Sequence, residues 1–139
     1  MLISPPPSRS QPTAGPNFRG AFMCHCSDCR KITASMFATN CTIAENSLKT
    51  IRGAELVKAY SQSTTIGSPR SGHAMTNFFC SNCGTLLYRQ GPLGVFMRVG
   101  TVDDFALHET NLRPTTEYFT KDRVGWLKPV EGAKQVDAF

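Results

Sequence analysis

The chain has 139 residues and a formal net charge of +5, with 40% of its residues hydrophobic and 18% charged. That length suits one compact domain able to bury a core without covalent staples. No run approaches about 18 consecutive apolar residues, and the opening MLISPPPSRSQP has no apolar segment behind a charged start, which disfavours a membrane span or a secretory leader.

In chain order, residues 1–20 read as a disordered proline-rich arm. Pro5, Pro6, Pro7, Pro12 and Pro16 stand among Ser, Gln, Thr and Gly, with too little apolar surface to offset the entropy of ordering. From Ala21 to Phe139 the text is globular. Short β-branched and aromatic runs predict strands over Ala21–Cys26, Ser35–Ala44, Leu48–Arg52, Leu56–Ser61, His73–Phe79, Thr85–Arg89 and Val95–Val99. Turn-forming residues separate them, among them Gly53-Ala54 and Gly91-Pro92-Leu93-Gly94. No stretch of about twelve residues carries a helical apolar period, so the expectation is a mostly β protein built from antiparallel sheet. After Thr101 the pattern is less regular; Asp103-Asp104 and Pro114 read as turns, and Trp126 is expected to cover the sheet.

The 6 cysteines carry more information than the charge, because five of them fall in two tight clusters. The 15 Lys and Arg and 10 Asp and Glu are scattered, so the positive balance fits an anionic ligand loosely and argues against a nucleic-acid surface. Clustered cysteines suit metal binding in a reducing compartment such as the cytoplasm better than a disulfide framework. In Cys24-x-Cys26-x-x-Cys29, residues two apart on a strand share a side, and a turn through Ser27-Asp28 returns Cys29 as a third thiol. Three protein ligands are the number expected of an open zinc site, whereas a closed structural site would need a fourth ligand from elsewhere in the chain. Arg30 and Lys31 stand close enough to offset the charge of three thiolates. In Cys80-Ser81-Asn82-Cys83-Gly84, a strand, two cysteines and a glycine have the form of a zinc knuckle. A redox Cys-x-x-Cys is the lesser reading, since no βαβ unit surrounds it. Cys41 stands alone and reads as a small core residue.

The series Cys24-His25-Cys26-Ser27-Asp28-Cys29-Arg30-Lys31, then Phe79-Cys80-Ser81-Asn82-Cys83-Gly84-Thr85-Leu86-Leu87-Tyr88, then Val99-Gly100-Thr101-Val102-Asp103-Asp104, resembles the glutathione-dependent formaldehyde-activating enzyme family. Arg113-Pro114 and Val124-Gly125-Trp126-Leu127 are most similar to the ending of its fungal-type members. The resemblance spans roughly Ala21 to Phe139 and implies a β-tent of antiparallel sheets with zinc-binding cysteine clusters. It implies that Cys24, Cys26 and Cys29 hold a catalytic zinc whose fourth position takes the thiol of glutathione, the co-substrate. It further implies that Cys80 and Cys83 join an N-terminal Cys-x-Cys around a structural zinc. The activity implied is that of a carbon-sulfur lyase acting on a glutathione adduct of formaldehyde or another small electrophile. The alternatives are a non-catalytic zinc module for protein or nucleic-acid binding, or a degenerate member of the family.

Where the family's first strand and its Cys-x-Cys belong, this chain has the proline-rich arm and no cysteine. The second zinc site is therefore incomplete here, and a mispredicted first exon is the favoured explanation, ahead of a real loss or a partner chain that supplies the ligands. His25 lies between two ligands and should point away from the metal, as a supporting or surface residue. His73 and His108 have no flanking ligand pattern. Asp28 and Arg30 are candidates to orient a thiol substrate or its carboxylates, although charged residues beside a turn are usually simply solvated.

Overall fold

A computed structural model describes residues 17–62 and 75–138. Most of the expected arm, His73 and the start of the strand expected there lie outside the described residues. Eight strands form one sheet: β1 (Phe18–Cys24), β2 (Ala38–Ile43), β3 (Val57–Gln62), β4 (Met75–Cys80), β5 (Leu86–Gly91), β6 (Gly94–Arg98), β7 (Thr116–Tyr118) and β8 (Lys134–Val136). Their spatial order is β3-β4-β5-β6-β2-β1-β7-β8. Two short helices, α1 (Ser27–Thr33) and α2 (Ala106–Glu109), complete the regular structure with a few single 3-10 turns. The expected mostly β class is present.

The ladders from β3 through β1 are antiparallel, as the pattern of short strands and tight turns predicts. Gly91 pairs with Gly94 across Pro92-Leu93, closing the hairpin between β5 and β6. Gly94 holds φ at +121°, and a Cβ there would sit 3.2 Å from the Ile43 carbonyl oxygen, so the position admits glycine alone without strain. At the other edge β7 pairs parallel to β1 and β8 parallel to β7. Sequence pattern misses both strands because three-residue strands carry too little alternation to register.

Two expectations are corrected. Leu48–Arg52 forms no strand, because it is bracketed by 3-10 turns at Glu45–Ser47 and Ala54–Leu56 and leaves Ile51 exposed rather than paired. Trp126 does not cover the sheet; it is 72% exposed in a turn, because the C-terminal chain is spent extending the sheet edge through β8 rather than crossing a face. Leu112, fully buried, does the covering instead.

Alternation along the central strands separates two cores. On one face Ala21, Cys41, Val99 and Leu112 pack together, with Met97 and Leu107 against them. Cys41 is thus the core residue its isolation suggests. On the other face Phe22, Cys24, Cys26, Cys29, Ala38, Phe96 and Phe119 form a second cluster. Phe22 meets Phe96 and Tyr118 edge-on, with ring centroids 5.9 and 5.3 Å away. The cysteine cluster is therefore built into the same core as Phe22 and Phe96, with Cys29 brought there by α1.

Candidate metal centre

Cys24 is the last residue of β1, and Cys26 is the N-cap of α1. The chain turns between them because Cys26 leaves the strand in an extended conformation while its sulfur accepts the Cys29 amide at 3.4 Å. The turn expected at Ser27-Asp28 is thus the first turn of a helix, which carries Cys29 back toward the strand. All three sulfurs lie within 4.8 Å of one another, and Cys24 and Cys26 are 3.4 Å apart. Sulfurs on a tetrahedral zinc with bonds of about 2.3 Å stand about 3.8 Å apart, so this donor set fits zinc with little adjustment. All six cysteines of the chain are free.

The thiols are electrostatically unequal. Hydrogen bonds from Cys24 and Cys26 hold the Cys29 thiol well below its ordinary range against the cost of burial, with Arg98 and Arg89 adding to the effect. Cys24 is pushed strongly up, first by its hydrogen bonds to Cys26 and Cys29 and then by burial. The Arg89 Nη1 donates to Cys29 Sγ at 3.8 Å. Arg98 lies beside it, with its Nη1 donating to Asn40 Oδ1. Burial raises the Asp28 carboxyl, and the neighbouring Cys26 raises it further.

Opposite the cluster's interior stands a second buried network. His25 is fully buried; its amide donates to the Tyr118 carbonyl at 3.1 Å, and its Nε2 lies 2.7 Å from Glu117 Oε2. Glu117, equally buried, also accepts from Arg123 Nε and Nη2 at 3.2 and 3.0 Å, from the Val130 amide and from Gln135 Nε2. Burial pushes the Glu117 carboxyl up, but the Val130 amide, His25, Gln135 and Arg123 together outweigh it and hold it below its ordinary value of 4.5. His25 therefore points away from the three sulfurs, as alternation predicts, and ties the strand that carries Cys24 to the C-terminal chain.

Cys80 and Cys83 are not brought to this cluster. Cys80 ends β4, and the turn through Ser81–Cys83 closes with the Gly84 amide on the Cys80 carbonyl at 2.7 Å, Gly84 at φ +75°. This is the knuckle form read from the sequence. Cys83 is half-buried, its Sγ lies 3.2 Å from Thr85 Oγ1, and its thiol is lowered by the Thr85 hydroxyl and amide and then by Cys80. Among the described residues no third potential ligand joins this pair. Arg30 donates instead to the Asp122 carbonyl at 3.5 Å and to Met36 Sδ at 3.3 Å. With Lys31, Ser27 and Asp122 it lines an open groove of about 560 Å³ along the outer side of α1.

Sequence reasoning did not single out Arg89, Arg98, Asn40 or Glu117. For the arginines a signal existed: each stands at an inward position of its strand, Arg98 in the same parity as Phe96 and Arg89 in the same parity as Leu87. Glu117 had none, because its strand is too short to assign a face.

Fold and site together define a mostly β protein with a three-thiol centre able to hold a metal ion. A family model described as glutathione-dependent formaldehyde-activating enzyme matches residues 13–122, and the chain belongs to that family. No curated protein matches the chain. Among the described residues no helix is long and apolar enough to cross a membrane.

Proposed function

We propose that this protein is a zinc-dependent carbon-sulfur lyase of the cytoplasm, which joins or separates the thiol of glutathione and the carbon of formaldehyde or another small electrophile. One observation carries the reading: the thiols of Cys24, Cys26 and Cys29 converge in a buried site, and no fourth His, Cys, Asp or Glu joins them among the described residues. A three-ligand donor set leaves one metal position for substrate, whereas a purely structural zinc takes four protein ligands. Zinc held there supplies a Lewis-acidic seat that favours the substrate sulfur as thiolate.

The chain's own residues do the rest by positioning. Cys26 fixes the start of α1 through the Cys29 amide, which sets the third thiol against the first two. His25, anchored on Glu117, holds the end of β1 so that Cys24 and Cys26 keep their mutual orientation. Arg30 and Lys31, on the groove beside α1, offer positive charge to the carboxylates of an anionic tripeptide. The free Cys80 and Cys83 pair makes up half of a second site, so one zinc per chain is the expected content.

The test is to purify the protein, measure zinc, and follow adduct formation from glutathione and formaldehyde. One equivalent of zinc with glutathione-dependent consumption of formaldehyde supports the reading. Bound zinc with neither thiol binding nor turnover sinks it, and would favour a non-catalytic zinc module.

A further inference from the structure

We propose that Cys80 and Cys83 form a thiol-disulfide exchange site, a second chemical centre that takes a small disulfide such as glutathione disulfide and closes to a reversible internal disulfide. The inference does not depend on the three-cysteine cluster or on what that cluster does with a metal.

The family resemblance assigns this pair to a structural zinc, and the donor set present does not fit that ion. A structural zinc takes four protein ligands. Here two thiols stand together, and among the described residues no third His, Cys, Asp or Glu joins them. Of the other four cysteines, three make up the cluster and Cys41 is fully buried in a core of its own.

What remains is a free dithiol in a tight turn. The Gly84 amide donates to the Cys80 carbonyl at 2.7 Å and the Cys80 amide donates to the Thr85 carbonyl at 2.9 Å, which pins the chain on both sides of the pair. The first and fourth residues of a turn lie within about 7 Å, and a disulfide joins Cα atoms about 4.4–6.8 Å apart, so the sulfurs can bond without moving a strand. The two thiols already interact directly. Both are half-buried, with Ser81 and Asn82 exposed between them, whereas none of the other four cysteines is more than 9% exposed. A bulky disulfide therefore reaches this pair ahead of any other thiol of the chain.

The βαβ setting of the common redox motif is absent, but exchange asks only for a reachable sulfur, a second sulfur within bonding range and support for the attacking thiolate. Cys83 meets the last requirement, because its Sγ lies 3.2 Å from Oγ1 of Thr85, a hydroxyl able to donate to the thiolate. In the first step the Cys83 thiolate bonds to one sulfur of glutathione disulfide. The glutathione S–S bond breaks, and the released glutathione takes up the proton that Cys83 gave. The Cys80 thiolate then attacks the Cys83 sulfur, and the second glutathione leaves with the proton of Cys80. The protein dithiol is oxidised by two electrons while one glutathione disulfide is reduced to two glutathiones, and excess glutathione runs both steps backwards.

The experiment uses the full zinc-loaded chain, incubated with glutathione disulfide and glutathione at fixed ratios, quenched with N-ethylmaleimide and read by peptide mass spectrometry without reduction. The expected result is an unlabelled peptide carrying Cys80 and Cys83, lighter by two hydrogens and restored by excess glutathione, while Cys24, Cys26 and Cys29 stay reduced. Cys80→Ser should trap glutathione on Cys83, and Cys83→Ser should take up glutathione about tenfold more slowly. The wild-type peptide decides the internal disulfide even where a serine variant does not fold. A pair that stays reduced, a glutathione adduct that never closes in the wild type, or cluster cysteines that oxidise first would each overturn the proposal. So would a second equivalent of zinc that is lost in the C80S/C83S double variant, since the pair would then be a metal site.

Discussion

Replacing Glu117 by alanine should destabilise this protein more than any other single carboxylate substitution among its described residues. Glu117 is fully buried, and its two oxygens receive His25, both donor positions of Arg123, the Val130 amide and Gln135. The alanine leaves the His25 ring buried without its acceptor, at about 1–3 kcal/mol, and strands the Arg123 charge and the Val130 amide as well. Breaking one side of a buried ion pair costs about 3–5 kcal/mol, and the same figure applies here. Set against a total stability of about 5–15 kcal/mol, that is a large share, and it corresponds to a midpoint roughly 10 °C lower. The assay is urea unfolding of the zinc-loaded protein, with Glu45→Ala as control; the exposed Glu45 accepts a hydrogen bond from Gln90 at the surface, and its loss should stay within about 0.5 kcal/mol. An unchanged slope with a lower midpoint for E117A is the expected outcome. A free energy within about 1 kcal/mol of wild type would refute the account of this network.

The same carboxyl gives an acid limb. Because its folded value lies below the ordinary 4.5, its stabilising contribution is complete above that pH and is lost as pH falls through the lower folded value. The stability gap between wild type and Glu117→Gln should therefore be constant above about pH 5 and close below it; a gap that persists to about pH 3 contradicts the assignment. Changing Cys24, Cys26 or Cys29 to serine should abolish zinc retention, whereas the double change of Cys80 and Cys83 to serine should leave the cluster's zinc in place; the opposite pattern in metal analysis would move the site to the knuckle. Burial pushes the Cys41 thiol up to about 11, so a thiol reagent near neutral pH should label the half-buried, acidified Cys83 before Cys41, which should react only on unfolding, as peptide mass spectrometry would report.

What the sequence made legible here is what depends on neighbours along the chain. Cys24, Cys26 and Cys29 could be grouped from spacing because a strand places residues two apart on one side, and one turn suffices to recover the third; the helix found there changes the route and not the convergence. The direction of His25 followed from the same alternation. Its partner did not: Glu117 lies 92 residues away, on a parallel strand of three residues next to the sheet edge that no periodicity could reveal. Leu48–Arg52 misled for the converse reason, since β-branched residues form a strand only where they are paired, and the 3-10 turns at Glu45–Ser47 and Ala54–Leu56 carry this segment past the sheet without a partner strand.

The two halves of the site thus have different physical origins, and their failures should look different. Ligand identity is local, so losing one cysteine removes the metal outright. Charge and orientation are long-range, supplied by β5 and β6 through Arg89 and Arg98 and by the C-terminal edge through Glu117. Substitutions there should leave a centre that still holds metal, with reduced stability.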